Sequence, residues 1–271
     1  LCVLGFYFMF SDNILTYACF IPICNFWLFS TGLTCKAAPQ QLSAAQVDAG
    51  HGIVVMTDIL YNSFFLTGSS WSKLGSVPLK HVSVGPAGIW GVNKDDKVHK
   101  FSGGDFFPVL GLELKQLDAG GQGHVVGVTD TDKIYCLNAD RAFSIQKEGI
   151  LTWDQLQGRL RYFSCGPNGC WGVNSIQHIY FTVKVLPNTC EISGFIRING
   201  LGVKIEVGTD GRVFILNQSG QLYERAGISD KVPQGTEWKE IAFQEPLKHA
   251  SYDLGHLWLV TKCGVILECT D

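Results

Sequence analysis

Short apolar runs with period-two alternation recur along this chain, and Gly, Pro, Asn or Asp interrupts each of them. Residues 79–84 alternate and predict one strand; a turn at 85–88 leads to a second strand at 89–93. A polar turn at 94–97 then opens a third strand at 98–101, and a fourth follows around 106–109. This order repeats. The phrase Leu-Lys-x-apolar-x-small-Gly, a turn, an apolar strand ending near Gly-Val-Asn, a polar turn and a Val/Ile–Tyr/His strand starts at 44, 79, 114, 160, 203 and 247. A spacing of about 35 to 46 residues is that of a four-stranded propeller blade, a unit that cannot bury its own apolar face and must stack on copies of itself. The pattern predicts an all-β fold, a six-bladed β-propeller of four-stranded antiparallel blades.

Trp71, Trp153, Phe195 and Trp238 fall in the aromatic slot of the outer strand. The sixth unit runs out after 266–269, one strand short, while 35–43 precedes the first inner strand, where an outer strand belongs. The N-terminal segment is therefore expected to complete the last blade, which leaves no edge open. Longer spacers at 138–152, 183–193 and 226–237 are expected to be loops suited to variation and binding.

Residues 1–34 differ in kind: they are strongly apolar, carry Asp12 as their single charge and show no trace of the repeat. They are expected to be a signal-peptide-like segment preceding a propeller domain at 35–271, with a membrane anchor as the rival reading. Pro22, Asn25 and the cysteines Cys2, Cys19 and Cys24 weaken the rival, so stable membrane insertion of the mature protein is not expected. Net charge is −3 over 271 residues, and Lys and Arg are scattered, which argues against a nucleic-acid partner.

Seven cysteines follow from Cys35 onward. Cys165 and Cys170 flank Gly-Pro-Asn-Gly and are expected to close a turn as a disulfide, with two buried free thiols as the alternative. No second His or Cys pair accompanies them at metal spacing, so a zinc site is not expected. A ring brings its ends together, so Cys35 and Cys269 are expected to lock it shut. Cys136 and Cys190 would then pair between blades three and four, leaving Cys263 odd, either free or available for an intermolecular bond.

The segments 85–93 (Gly-Pro-Ala-Gly-Ile-Trp-Gly-Val-Asn) and 165–174 (Cys-Gly-Pro-Asn-Gly-Cys-Trp-Gly-Val-Asn) resemble tectonin repeats. With the run at 247–260, the order over about 35–271 is similar to the fish egg lectins, a tachylectin-1-like group. The resemblance implies a secreted, extracellular lectin in egg or plasma that binds N-acetylglucosamine and bacterial surface glycans such as lipopolysaccharide and peptidoglycan. It also implies a blade-five cysteine as partner for the blade-six one, but this chain has Ala242-Phe243-Gln244-Glu245 there. Blades one, three, five and six depart from Gly-Val-Asn, so not every blade need carry a working site.

Sugar recognition needs carboxylate, amide or amine groups for hydroxyls and an apolar face for ring carbons. The second-to-third strand turns share a rim with the blade connections. That groups Asn93, Asp95 and Asp96 with Lys80, Asp130 and Asp132 with Lys115, Asn174 with Arg161, and Asn217 with Lys204 as candidate carbohydrate-binding residues. Repeated sites would act multivalently. Each has a plainer reading: Asn and Asp at turns usually cap their own backbone, each Lys can simply bridge neighbouring blades, and Trp90, Trp171 and Trp258 suit a core. His81 and His249 share one blade position and are expected to pack. No nucleophile elbow, zincin motif or P-loop is present, and no acid pair stands out, although Asp118 and Glu206 could meet across the channel. An enzyme is not expected, and no catalytic residue or metal ligand is assigned. No cofactor is required; a Ca²⁺ ion at the channel mouth and a homodimer are left open. The alternative function is a non-catalytic scaffold for a protein partner.

Overall fold

The computed structural model describes residues 4–7, 19–22, 28–29 and 32–271, except 42 and 184. The expected leader segment falls largely outside the described residues. From Thr34 onward, six antiparallel sheets surround a central channel. Blade one comprises Ala44–Gly50, Ile53–Asp58, Ser63–Thr67 and Ser70–Lys73. Blade two comprises His81–Gly85, Gly88–Val92, Lys97–Ser102 and Asp105–Glu113. Blade three holds Gln116–Asp118, Val125–Val128, Lys133–Leu137 and Asp154–Arg159. Blade four holds Tyr162–Gly166, Gly169–Val173, His178–Thr182 and Ile196–Leu201. Lys204–Val207, Val213–Leu216, Leu222–Ala226 and Glu237–Ile241 form blade five. Blade six takes Leu247–Asp253, His256–Thr261 and Ile266–Thr270, and its fourth strand is Thr34–Ala37 from the other end of the chain.

That shared sheet closes the ring in the way the short sixth unit requires. Cys35 lies opposite Cys269 in the ladder, and the two form a disulfide. Cys136–Cys190 and Cys165–Cys170 are also bonded. Cys263 is disulfide-bonded too, which corrects the expectation of an odd thiol. No described helix is long and apolar enough to cross a membrane.

The repeated residues have packing reasons. In blades one to five a Gly closes or follows the inner strand where neighbouring blades converge: a Cβ on Gly85 would lie 1.8 Å from the Ala119 carbonyl oxygen of the next blade. The Gly of Gly-Val accommodates the Leu of its own Leu-Lys pair, since a Cβ on Gly91 would lie 2.6 Å from Leu79 Cδ1. Leu79, Leu114 and Leu160 are accordingly buried, as are Trp90, Trp171 and Trp258 on the second strands. The tryptophans are core residues, and Trp258 also contributes to the lining of a cavity beside Leu254 and His256.

The spacer at 138–152 is not a plain loop. Ala139–Ser144 is a helix capped by Asn138, whose Oδ1 accepts from Arg141 N at 3.0 Å. Gly149–Ile150 then pairs in parallel with the outer strand of blade two.

Candidate functional site

Alternate residues of an inner strand face the channel, and here they form two polar layers. The first layer contains Gln46, His81, Gln116, Tyr162, Lys204 and His249, one from each blade. His81, Tyr162 and His249, from even blades, set their rings in a triangle with centroid separations of 6.1, 6.2 and 6.3 Å. Two residues further along, odd blades supply Asp48, Asp118 and Glu206, and even blades Ser83, Ser164 and Ser251. The channel is therefore organised as three two-blade units.

These layers stitch the ring together. Gln46 Nε2 donates to Val82 O at 2.7 Å and Val82 N donates to Gln46 Oε1 at 3.1 Å; Gln116 and Phe163 repeat the exchange at 2.9 and 3.1 Å. Asp48 accepts from Val84 N at 2.7 Å, and Asp118 from Cys165 N at 3.1 Å. The serines accept from the next blade: Ala119 N, Val207 N and Ala49 N reach Ser83, Ser164 and Ser251 at 2.9, 3.1 and 2.9 Å. Lys204 Nζ closes the fifth seam by donating to Lys248 O at 2.9 Å. Asp118 and Glu206 do approach one another: Ser164 Oγ donates to Asp118 Oδ2 at 3.0 Å and lies 3.5 Å from Glu206 Oε2. Tyr162 OH donates to Glu206. Both acids are buried in this scaffold.

Burial raises Asp48 to about 6 and Asp118 to about 7, and it pushes Glu206 well above the carboxylate range. Burial likewise lowers His81 to about 3 and His249 well below its usual value, so both rings are neutral.

Above the first layer lies an open cavity of about 500 Å³ at the channel mouth. Lys80, Lys115, Arg161, Asn174 and Lys204, all candidates from the sequence, line it together with His81, Tyr162, Gln177 and Gln218. The candidates thus converge on one shared mouth instead of separate blade seams. Lys80 pairs with Asp96 and Lys115 with Asp132, each within its own blade, so these lysines do not bridge blades. Lys204 is not equivalent to them. It pairs with Leu216, as His81 does with Val92, and so occupies the channel position one residue inward. Desolvation lowers its amine to about 8.

A second groove, of about 680 Å³, runs between blades two and three. Asn93 and Asp130 face it, along with Thr129, Lys133, Tyr135, Pro108 and Leu110. Asn93 Oδ1 accepts from Asp95 N at 3.0 Å and Lys97 N at 2.9 Å, so its oxygen shapes the turn while its amide nitrogen is the group left for a ligand. Asn174 does likewise with Ile176 N and His178 N, at 3.1 and 2.8 Å. Asn217 is spent on Gln221 and Ser219, and Asp95 pairs with Lys94 at 2.8 Å.

Ca²⁺ needs six to eight oxygen ligands; the mouth offers amines, a guanidinium and amides, and does not fit it. Among the described residues, His124 converges with Cys165 and Cys170, whose sulfurs are spent on each other as a disulfide and offer no thiolate to a metal.

The closed ring, its channel scaffold and its repeat define a six-bladed propeller. Residues 43–262 match the Tectonin domain, and the chain belongs to that family. It is 47% identical over 156 residues to the Fish-egg lectin of Cyprinus carpio, covering 57% of this chain and 65% of that lectin, under two thirds of its length. Among solved structures, virginiamycin B lyase from Staphylococcus aureus superposes with a TM-score of 0.57 at 12% identity, covering 89% of this chain and 99% of the lyase. Human WBSCR16 gives a TM-score of 0.54 at 12% identity, covering 85% and 77%. Those two likenesses concern the fold alone.

Proposed function

We propose that this protein is a secreted lectin that holds N-acetylglucosamine-type sugars, including those of lipopolysaccharide and peptidoglycan, without chemical turnover. The observation that carries the reading is the groove between blades two and three, which Asn93 and Asp130 line together with Tyr135, Pro108 and Leu110. Amide and carboxylate meet hydroxyls there, and the apolar wall suits ring carbons or an acetamido methyl. The carp relative's name supports the same class. Disulfides such as Cys35–Cys269 and Cys136–Cys190 fit an oxidising, extracellular setting. The channel acids are committed to holding blades together, which leaves them poorly suited to glycoside hydrolysis.

Calorimetric titration with N-acetylglucosamine tests the groove. Asn93→Asp keeps the oxygen that shapes the turn and removes the amide donor, so it isolates binding from folding. It is expected to weaken binding by about tenfold, the worth of roughly one hydrogen bond, with an unchanged melting temperature; so is Asp130→Asn. Unaltered titrations for both would remove the groove as the site. A glycan array on which the chain binds no sugar would return the reading to a scaffold for a protein partner.

A further inference from the structure

The channel mouth holds more positive charge than its surrounding turns neutralise. In blades two and three, the left-handed residue of the second-to-third strand turn is an acid, Asp96 (φ 62°) and Asp132 (φ 64°), and each pairs with the Lys of its blade. In blade four that turn position is Gln177 (φ 66°), and in blades five and six it is Gly220 and Gly264. Arg161 and Lys248 occupy the inner-strand positions equivalent to Lys80 and Lys115, and among the described residues no carboxylate pairs with either. Lys204 adds a third cation, held by the Lys248 carbonyl. The chain as a whole is acidic, at −3. Arg161 and Lys204, the two of these cations that line the cavity, are therefore a local feature and do not reflect a generally basic surface.

We propose that blades four and five form an anion subsite at this mouth, in which Arg161 and Lys204 hold a phosphate or carboxylate group carried on a sugar. Arg161 offers a planar fork that matches either oxyanion, and Lys204 supplies a point charge at the channel wall. Asn174 and the linked pair Gln177–Gln218, whose amides meet at 2.7 Å, border the same space with neutral donors. The sugar carrying the anion rests on the lectin reading; the anion subsite itself does not.

The test uses the full chain, titrated with inorganic phosphate, N-acetylglucosamine 6-phosphate, glucuronate and neutral N-acetylglucosamine. At low ionic strength the phosphorylated sugar is expected to bind about tenfold more tightly than the neutral one, with the difference shrinking as salt screens the charges. Glucuronate against the phosphorylated sugar tells which anion the subsite prefers. Gln177→Asp recreates in blade four the acid that locks Lys80 and Lys115, on a backbone that already accepts Asp in two other blades. It is expected to pair with Arg161 and abolish phosphate binding while neutral-sugar binding stays as it was. Arg161→Gln, on an exposed residue, is expected to act in the same direction. If inorganic phosphate does not bind, or binds both variants as it binds the wild type, the subsite is wrong. Loss of neutral-sugar binding in Asn93→Asp with phosphate binding intact would leave both sites standing, and the opposite failures identify which one falls.

Discussion

Glu206 is one of the channel residues whose chemistry burial alters. Burial comes first, with the neighbouring charges of Asp48 and Asp118 behind it, and the acid is held well above its ordinary range. An acid with a raised folded value stabilises the fold below its unfolded value and loses that contribution as pH rises through the folded one. Asp48 completes that loss near 6 and Asp118 near 7, and Glu206 is shifted in the same direction. The buried histidines work the other way: His81, lowered to about 3, and His124, lowered to about 4, contribute above 6.5 and lose that contribution as pH falls. The two sets offset each other between about 4 and 6.5. From 6.5 to about 7 the loss carried by Asp118 is no longer offset by the histidines. At about 1.4 kcal/mol per pH unit for one group, the melting temperature is expected to fall by roughly 2 °C over that half unit. Asp118→Asn is expected to remove most of the fall; a variant whose melting temperature follows pH as the wild type does would show that Asp118 does not cause it. The alternation Asp, Ser, Asp, Ser, Glu, Ser at 48, 83, 118, 164, 206 and 251 was readable from the sequence once the inner strands were aligned on their closing Gly, which Asp253 replaces in blade six. Aligning on Leu-Lys hides it, because blade five is one residue shorter there, and the same slip placed Lys204 with the mouth lysines.

Among the elements, strands were legible because each repeat residue answers to a steric demand at one place: Gly85 to a neighbouring carbonyl, Gly91 to a Leu side chain. The helix Ala139–Ser144 was not legible, since one and a half turns carry too little periodicity to stand out and its packing comes from outside itself. Lys100 Nζ donates to the Ala142 and Ile145 carbonyls at 2.7 and 3.0 Å, a contact that local sequence does not encode. Cysteine spacing found three pairings because the ring topology fixes which ends meet. The bond between Cys35 and Cys269, separated by 234 residues, constrains nearly the whole unfolded domain. The chain-entropy account assigns such a closure about 5 kcal/mol. Cys269→Ser is expected to lower the melting temperature by roughly 10 °C, and an unaltered value would mean that the sheet alone holds the ends.

For the whole molecule, the decisive fact is that the last sheet borrows its outer strand. Repeat counting gave six units, and a missing strand at one end facing a surplus at the other gave the phase of closure. Repetition could not reveal that the mouth is uneven, because Gln177 looks like one more polar turn residue until Arg161 is seen without the acid that Lys80 and Lys115 possess. Closure matters for solubility as well as stability. Removing Thr34–Ala37 would leave Ile266–Thr270 with an unpaired row of backbone donors and acceptors, an edge of the kind that recruits other chains. A chain lacking residues 1–38 is therefore expected to associate, seen as higher-mass species in light scattering, at concentrations where Cys269→Ser, which keeps the strand, scatters as the wild type does. The two changes both sever Cys35 from Cys269, so the comparison separates the covalent lock from the hydrogen-bonded one. A truncated chain that scatters like the wild type would mean that the fourth strand of blade six is dispensable, and with it the account of how the ring is held.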